Sequence, residues 1–201
     1  MKIEALDSIL SDTLEGEAIE KLRSLYRDLD STQTSFLEKY AISCIPGCGH
    51  CCEKYVPVLT PAEAVYASAA ILREGREEEI LTLLEKGDPE SKCCPLYLPD
   101  REYHCSFYEG RSLVCRLFGA SATEDKNGRL VYRSCHWKEE KESIPSSALE
   151  ENRESVPVMS HYGEMLQESP GGNAEEGESI YTALPKAIGK LKMILSFASL
   201  T

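Results

Sequence analysis

Cys44-Ile45-Pro46-Gly47-Cys48-Gly49-His50-Cys51-Cys52 decides how this chain folds. Thiolates two or three residues apart on a tight loop can point at one centre. Gly47 and Gly49 let the backbone bend and turn its N–H groups toward sulfur, which stabilises anionic thiolate and tunes a bound metal. Four such thiolates can hold zinc tetrahedrally or ligate an iron–sulfur cluster, and spacing alone does not choose between them. A chain built on such a loop is expected to be irregular where the cysteines lie and regular around them.

All nine cysteines fall between Cys44 and Cys135. An odd number cannot pair completely within one chain, and the vicinal pairs Cys51-Cys52 and Cys93-Cys94 suit simple disulfides poorly. The first residues, Met1-Lys2-Ile3-Glu4-Ala5-Leu6-Asp7, lack the basic start and continuous apolar run of a secretory leader. The expected compartment is therefore the cytoplasm, where thiols stay reduced and metal ligation is read ahead of disulfides. The later cysteines, Cys93-Cys94, Cys105, Cys115 and Cys135, are separated by long gaps. Only tertiary folding can gather them, so metal binding and folding are expected to be coupled.

These spacings resemble those of the YkgJ-type cysteine-cluster family, a zinc- or iron-chelating domain. Cys44, Cys48, Cys51 and Cys52 match its C-x(2–3)-C-x2-C-C run, and Cys94-Pro95-Leu96 matches its second element. Cys105, Tyr108, Arg111, Cys115, Arg116 and Phe118 match its third element, and Cys135 is the last member. Ser112 stands where the family usually has proline. The resemblance covers about residues 44–135 and implies eight metal ligands, leaving Cys93 outside. One branch includes the longer flagellin lysine N-methylases, which implies a methyl-transfer link. The spacing Cys44-x3-Cys48-x2-Cys51 also equals the radical S-adenosylmethionine triad. No alternation of strands and helices supports the large barrel that such enzymes use.

Composition narrows the field. The net charge is −12, which argues against nucleic-acid binding through phosphates and against docking on anionic lipid. No stretch reaches the roughly 20 apolar residues of a membrane span. A protein partner or electron donor remains open. No Walker loop, Rossmann glycine pattern or Ser-His-Asp order is present.

The expected fold is mainly α, in a single domain over 1–201. N- and C-terminal helices would surround an irregular metal-binding core at 44–135, with a short β-hairpin. Apolar periodicity predicts helix over 2–30, broken near Gly16. Thr60-Pro61-Ala62-Glu63 is a capping box with proline at the first helical position, and Gly75 and Gly87 are the next stops. Asn127-Gly128 predicts the hairpin turn. The Glu-, Ser- and Pro-rich stretch 138–179 reads as a polar connection with one short helix near 158–167, before a last helix from Pro185 to about Ser199.

The function expected is metal binding by Cys44, Cys48, Cys51, Cys52, Cys94, Cys105, Cys115 and Cys135. An iron–sulfur cluster of the 4Fe-4S type, serving electron transfer or a modification reaction, stands first. A structural zinc module or a metal carrier is the alternative. Arg111 and Arg116 flank Cys115 and would offset the negative charge of a thiolate-bound cofactor, or else pair with carboxylates such as Glu109. Tyr108 would hydrogen-bond to sulfur or pack in the core. His50, His104 and His136 adjoin cysteines and are expected to hydrogen-bond around the centre or face solvent. Whether the protein is an enzyme is left open by the sequence.

Overall fold

A computed structural model describes residues 3–43, 48–100, 104–138 and 141–198. Its helices are α1 (Ile3–Leu10), α2 (Leu14–Lys39), α3 (Pro61–Glu74), α4 (Glu77–Lys86), α5 (Leu113–Leu117), α6 (Ser146–Glu150), α7 (Met159–Gln167) and α8 (Ile180–Ala198). The short strands are β1 (Val58–Leu59), β2 (Ala122–Glu124), β3 (Leu130–Tyr132) and β4 (Glu178–Ser179). The fold is mainly α, with a cysteine-rich middle and the expected hairpin.

The N-terminal break lies one turn earlier than Gly16. Thr13 caps α2, its hydroxyl accepting the Gly16 N–H at 3.1 Å. Gly16 has a different task. A Cβ there would stand 1.9 Å from the Leu10 carbonyl oxygen, so glycine allows the end of α1 to lie against the start of α2. Helix α2 then runs on to Lys39, carrying Leu22, Leu25, Leu29 and Phe36 into the interior.

Helix α3 is the central element, with α2 on one side and α8 on the other. Its capping box forms as the sequence predicts. The Thr60 hydroxyl accepts from Glu63 N–H, and the Glu63 carboxylate accepts from Thr60 N–H. Ala62, Ala64, Ala67 and Ala69 are buried, and these small side chains let the neighbouring helices approach. Gly75 ends α3 in the left-handed region at φ 65°, and Gly87 follows α4.

Helix α8 begins five residues before Pro185 and carries that proline internally. Its start is fixed from outside the helix. β4 pairs antiparallel with β1, and Ile180 N–H donates to the Pro57 carbonyl. That anchoring outweighs the single helical hydrogen bond that proline removes. The main neighbour of α8 is α3 rather than the N-terminal helices, although α8 also touches α1.

The stretch 138–179 holds more structure than its composition suggests. It contains α6, α7 and two short 3-10 turns, and Leu149, Val156, Val158, Tyr162 and Leu166 are buried. Leu149 and Val158 join Phe36, Leu130 and Tyr132 in a core beneath the hairpin. Fully burying one leucine is worth about 1.5–3 kcal/mol, so a few such anchors hold a mostly polar segment in place.

Candidate metal centre

Five separate segments supply the cysteines. Cys48, Cys51 and Cys52 lie on the turns before β1, and Cys94 lies on the loop after α4. Cys105 opens an extended return, Cys115 sits on α5, and Cys135 follows β3. These seven line a single cavity of about 370 Å³. Cys44 lies outside the described residues. Cys93 does not line the cavity; its thiol turns to the Cys94 carbonyl at 3.8 Å.

Backbone hydrogen bonds bring the segments together. Cys52 N–H donates to the Gly49 carbonyl at 2.8 Å, closing the first loop. Cys94 N–H donates to the Cys52 carbonyl at 2.7 Å, tying the second segment to the first. Leu98 N–H donates to His104, and Ser106 N–H to Leu96, so Cys105 is held opposite Tyr97 in an antiparallel bridge. His104 takes a positive φ of 47° in making this return.

The α5 segment is held by two buried polar side chains. Glu63 accepts from Leu113 N–H at 2.7 Å, so the carboxylate that caps α3 also seats the first turn of α5. It accepts from Tyr26 as well, at 3.4 Å. Gln33 donates to the carbonyls of Arg116 and Ala120 at the other end of α5. Cys115 is thereby fixed to α2 and α3, and the Ser112 hydroxyl donates to its sulfur at 3.3 Å.

The predicted polar residues divide between the cavity and its support. Arg111 and Tyr108 line the cavity, with the guanidinium 3.5 Å from the Tyr108 ring centroid. Arg116 is turned away and buried. Its guanidinium donates to the carbonyls of Glu109 and Arg111 and faces Asp30 at 3.4 Å, over the Tyr26 ring. It clamps the loop that carries Arg111. The Glu109 carbonyl, not its carboxylate, is the partner.

Of the Cys-adjacent histidines, His50 lines the cavity and stacks on Trp137, with centroids 5.3 Å apart. His136 meets Trp137 edge-on, with centroids 5.1 Å apart. His104 packs near Tyr97, and its buried Nδ1 has no hydrogen-bond partner. The sequence reading missed Glu63 beyond its capping role, and it missed Gln33 and Trp137. The capping motif was the one available signal for Glu63.

The electrostatics are those of a site suited to a cation. Burial raises the Cys94 thiol to about 12, and nearby sulfurs push the same way. Burial also raises Cys105 and Cys115, with Arg111 acting against it at both. Cys51 and Cys52 stand 4.0 Å apart. The hydrogen bond from Cys52 stabilises the Cys51 thiolate and lowers it to about 6, while the same bond and burial raise Cys52. Buried thiols of this kind become thiolates together only against a positive charge, which a metal supplies.

The donor set fits such a group: seven sulfurs, one imidazole and no carboxylate line the cavity among the described residues. Soft thiolate sets select zinc or iron–sulfur over hard cations. The sulfurs are spread over the wall, and no three His, Cys, Asp or Glu side chains among the described residues stand ready to hold one ion. Among the described residues no helix is long and apolar enough to cross a membrane.

The family model described as "CxxCxxCC: Putative zinc- or iron-chelating domain" matches residues 43–142. No curated protein and no solved structure matches the chain. The match speaks to metal chelation and does not extend to the flagellin lysine N-methylases.

Proposed function

From the premise that residues 43–142 are a domain of the CxxCxxCC metal-chelating family, we propose that this chain holds an iron–sulfur cluster in the thiol-lined cavity and uses it in electron transfer or a modification reaction. The observation that carries this reading is the convergence of seven cysteines, from five segments, on one cavity of about 370 Å³.

The ligands would come from Cys48, Cys51, Cys52, Cys94, Cys105, Cys115 and Cys135, with Cys44 as the eighth that the family resemblance implies. Seven thiols exceed the four of one closed zinc site and suit a cluster, or a cluster beside a second metal. A bound cluster would supply one-electron chemistry. Leu59, Ala67, Leu96, Phe107, Ile180 and Leu184 give the cavity an apolar floor. Arg111 sets a positive charge beside the thiolates, which favours the reduced state of such a centre. A structural zinc site is the second reading, because an all-cysteine donor set suits zinc as well.

The test is anaerobic purification followed by metal analysis, acid-labile sulfide determination and an absorption spectrum. A brown protein with iron and labile sulfide in equal amounts is expected. A colourless protein with stoichiometric zinc and no sulfide overturns the cluster and leaves the zinc site.

A further inference from the structure

The cavity mouth differs from the rest of the surface. Of the five exposed aromatic side chains among the described residues, Tyr108, Phe118 and Trp137 line the opening, and Tyr55 packs on Phe118 with centroids 6.2 Å apart. The chain carries 34 acidic residues, yet no described Asp or Glu lines the cavity. Its cations are Arg111 and Lys138. Lys138 is paired with Glu142. Arg111 has no carboxylate partner among the described residues and lies over the Tyr108 ring, its Nε donating to the Tyr108 carbonyl and its remaining N–H groups available for a planar acid group.

We propose that this mouth binds a small planar organic anion, its ring against Trp137 and Phe118 and its acid group on Arg111. The proposal deepens the metal-centre reading, because the ligand would sit against the wall that holds the thiols. A cavity of about 370 Å³ is of the size that small ligands occupy, roughly 300–1,000 Å³. Aromatic walls with one placed charge are how such sites fix orientation. Arg111 therefore has two roles, facing the thiolates on one side and the ligand on the other.

Trp137 is the one tryptophan of the chain, so its fluorescence reports on the mouth alone. The full chain, purified anaerobically, is titrated with 2-naphthoate and with neutral 2-naphthamide, by Trp137 fluorescence and calorimetry. The expected result is saturable 1:1 binding, with the acid favoured roughly tenfold, the margin of one charge-assisted contact. Arg111→Gln should abolish that margin and leave the amide bound as before; Arg111→Lys should restore part of it. Phe118→Ala should weaken both probes severalfold at unchanged metal content, which keeps the test valid if Arg111 variants lose metal. Equal affinity for acid and amide, a margin that survives Arg111→Gln, no saturable binding, or no effect of Phe118→Ala each overturns the proposal. Metal content is measured on the same samples. Naphthoate binding without bound metal would defeat the metal reading alone, and bound metal without naphthoate binding would defeat this one alone.

Discussion

Replacing Glu63 by glutamine tests whether one buried carboxylate joins the scaffold to the metal centre. One oxygen accepts from Thr60 N–H at 2.9 Å and from its hydroxyl at 3.1 Å, and the other accepts from Leu113 N–H at 2.7 Å and from Tyr26 at 3.4 Å. Glutamine keeps the shape but offers one oxygen. Whichever way the amide turns, its NH₂ confronts a backbone N–H that loses its acceptor, and the hydroxyl on that side keeps a bond only by reversing to accept. Hydrogen bonds to charged groups contribute about 1.5–3 kcal/mol each, so one buried N–H left unmet and the remaining bonds weakened to a neutral acceptor amount to about 3 kcal/mol or more. Relief from burying a full charge returns part of this, and the expected net loss is about 2–3 kcal/mol. The assay is anaerobic urea denaturation followed by helical circular dichroism, with Tyr26→Phe as the control. Tyr26→Phe removes only the longest bond and should cost about 1 kcal/mol or less. Because Leu113 N–H begins α5, the glutamine variant should also release metal faster to a chelator. A loss below about 0.5 kcal/mol with metal retention unchanged would refute the reasoning, since a buried acceptor of four bonds cannot be replaced so cheaply.

Three further outcomes follow from the same geometry. Cys115→Ser should lose metal and stability together, whereas Cys93→Ser should change neither, because Cys93 turns away from the cavity; metal analysis and thermal melts of both variants decide this. In metal-free protein, Cys51 should be alkylated by iodoacetamide with a rate that rises as pH climbs through about 6, where its lowered thiol gives up its proton. Metal affinity should correspondingly fall as pH drops through that value; a midpoint near the ordinary thiol range would contradict the Cys52 hydrogen bond. Gly16→Ala should destabilise the fold by about 1–3 kcal/mol despite the better helix propensity of alanine, because its methyl group would meet the Leu10 carbonyl oxygen 1.9 Å away. Equilibrium denaturation reads the sign directly, and a stabilised variant would show that α1 and α2 are not packed this way.

Local chemistry made much of the fold legible. The Thr60–Glu63 box, Gly75, Gly87 and the Asn127-Gly128 turn each act within a few residues, and each stands where the sequence predicts it. The misreadings came from interactions across long separations. Pro185 looked like a helix start, but pairing of β4 with β1 fixed the start at Ile180 instead. Gly16 looked like a break, although its smallness serves a helix contact. In 138–179 the polar majority hid Leu149, Val156 and Val158, whose burial depends on the distant hairpin and α2.

The candidate site was legible as a group of cysteines but not as a cavity. The family resemblance left Cys93 outside its ligand set, and spacing picked out the cysteines. It could not show that Leu59, Ala67 and Leu184 would form the floor, because β1, α3 and α8 meet there only in the folded chain. Arg111 and Arg116 looked equivalent on either side of Cys115. The short helix α5 separates them, sending one guanidinium to the cavity and the other under the loop.

Differential alkylation with mass spectrometry, before and after anaerobic metal removal, tests the central claim most directly. The account predicts that Cys48, Cys51, Cys52, Cys94, Cys105, Cys115 and Cys135 lose protection together when the metal leaves, while Cys93 reacts at the same rate in both states. Protection of Cys93 by metal, or indifference of Cys115 and Cys135 to its removal, would contradict a single centre built from all five segments.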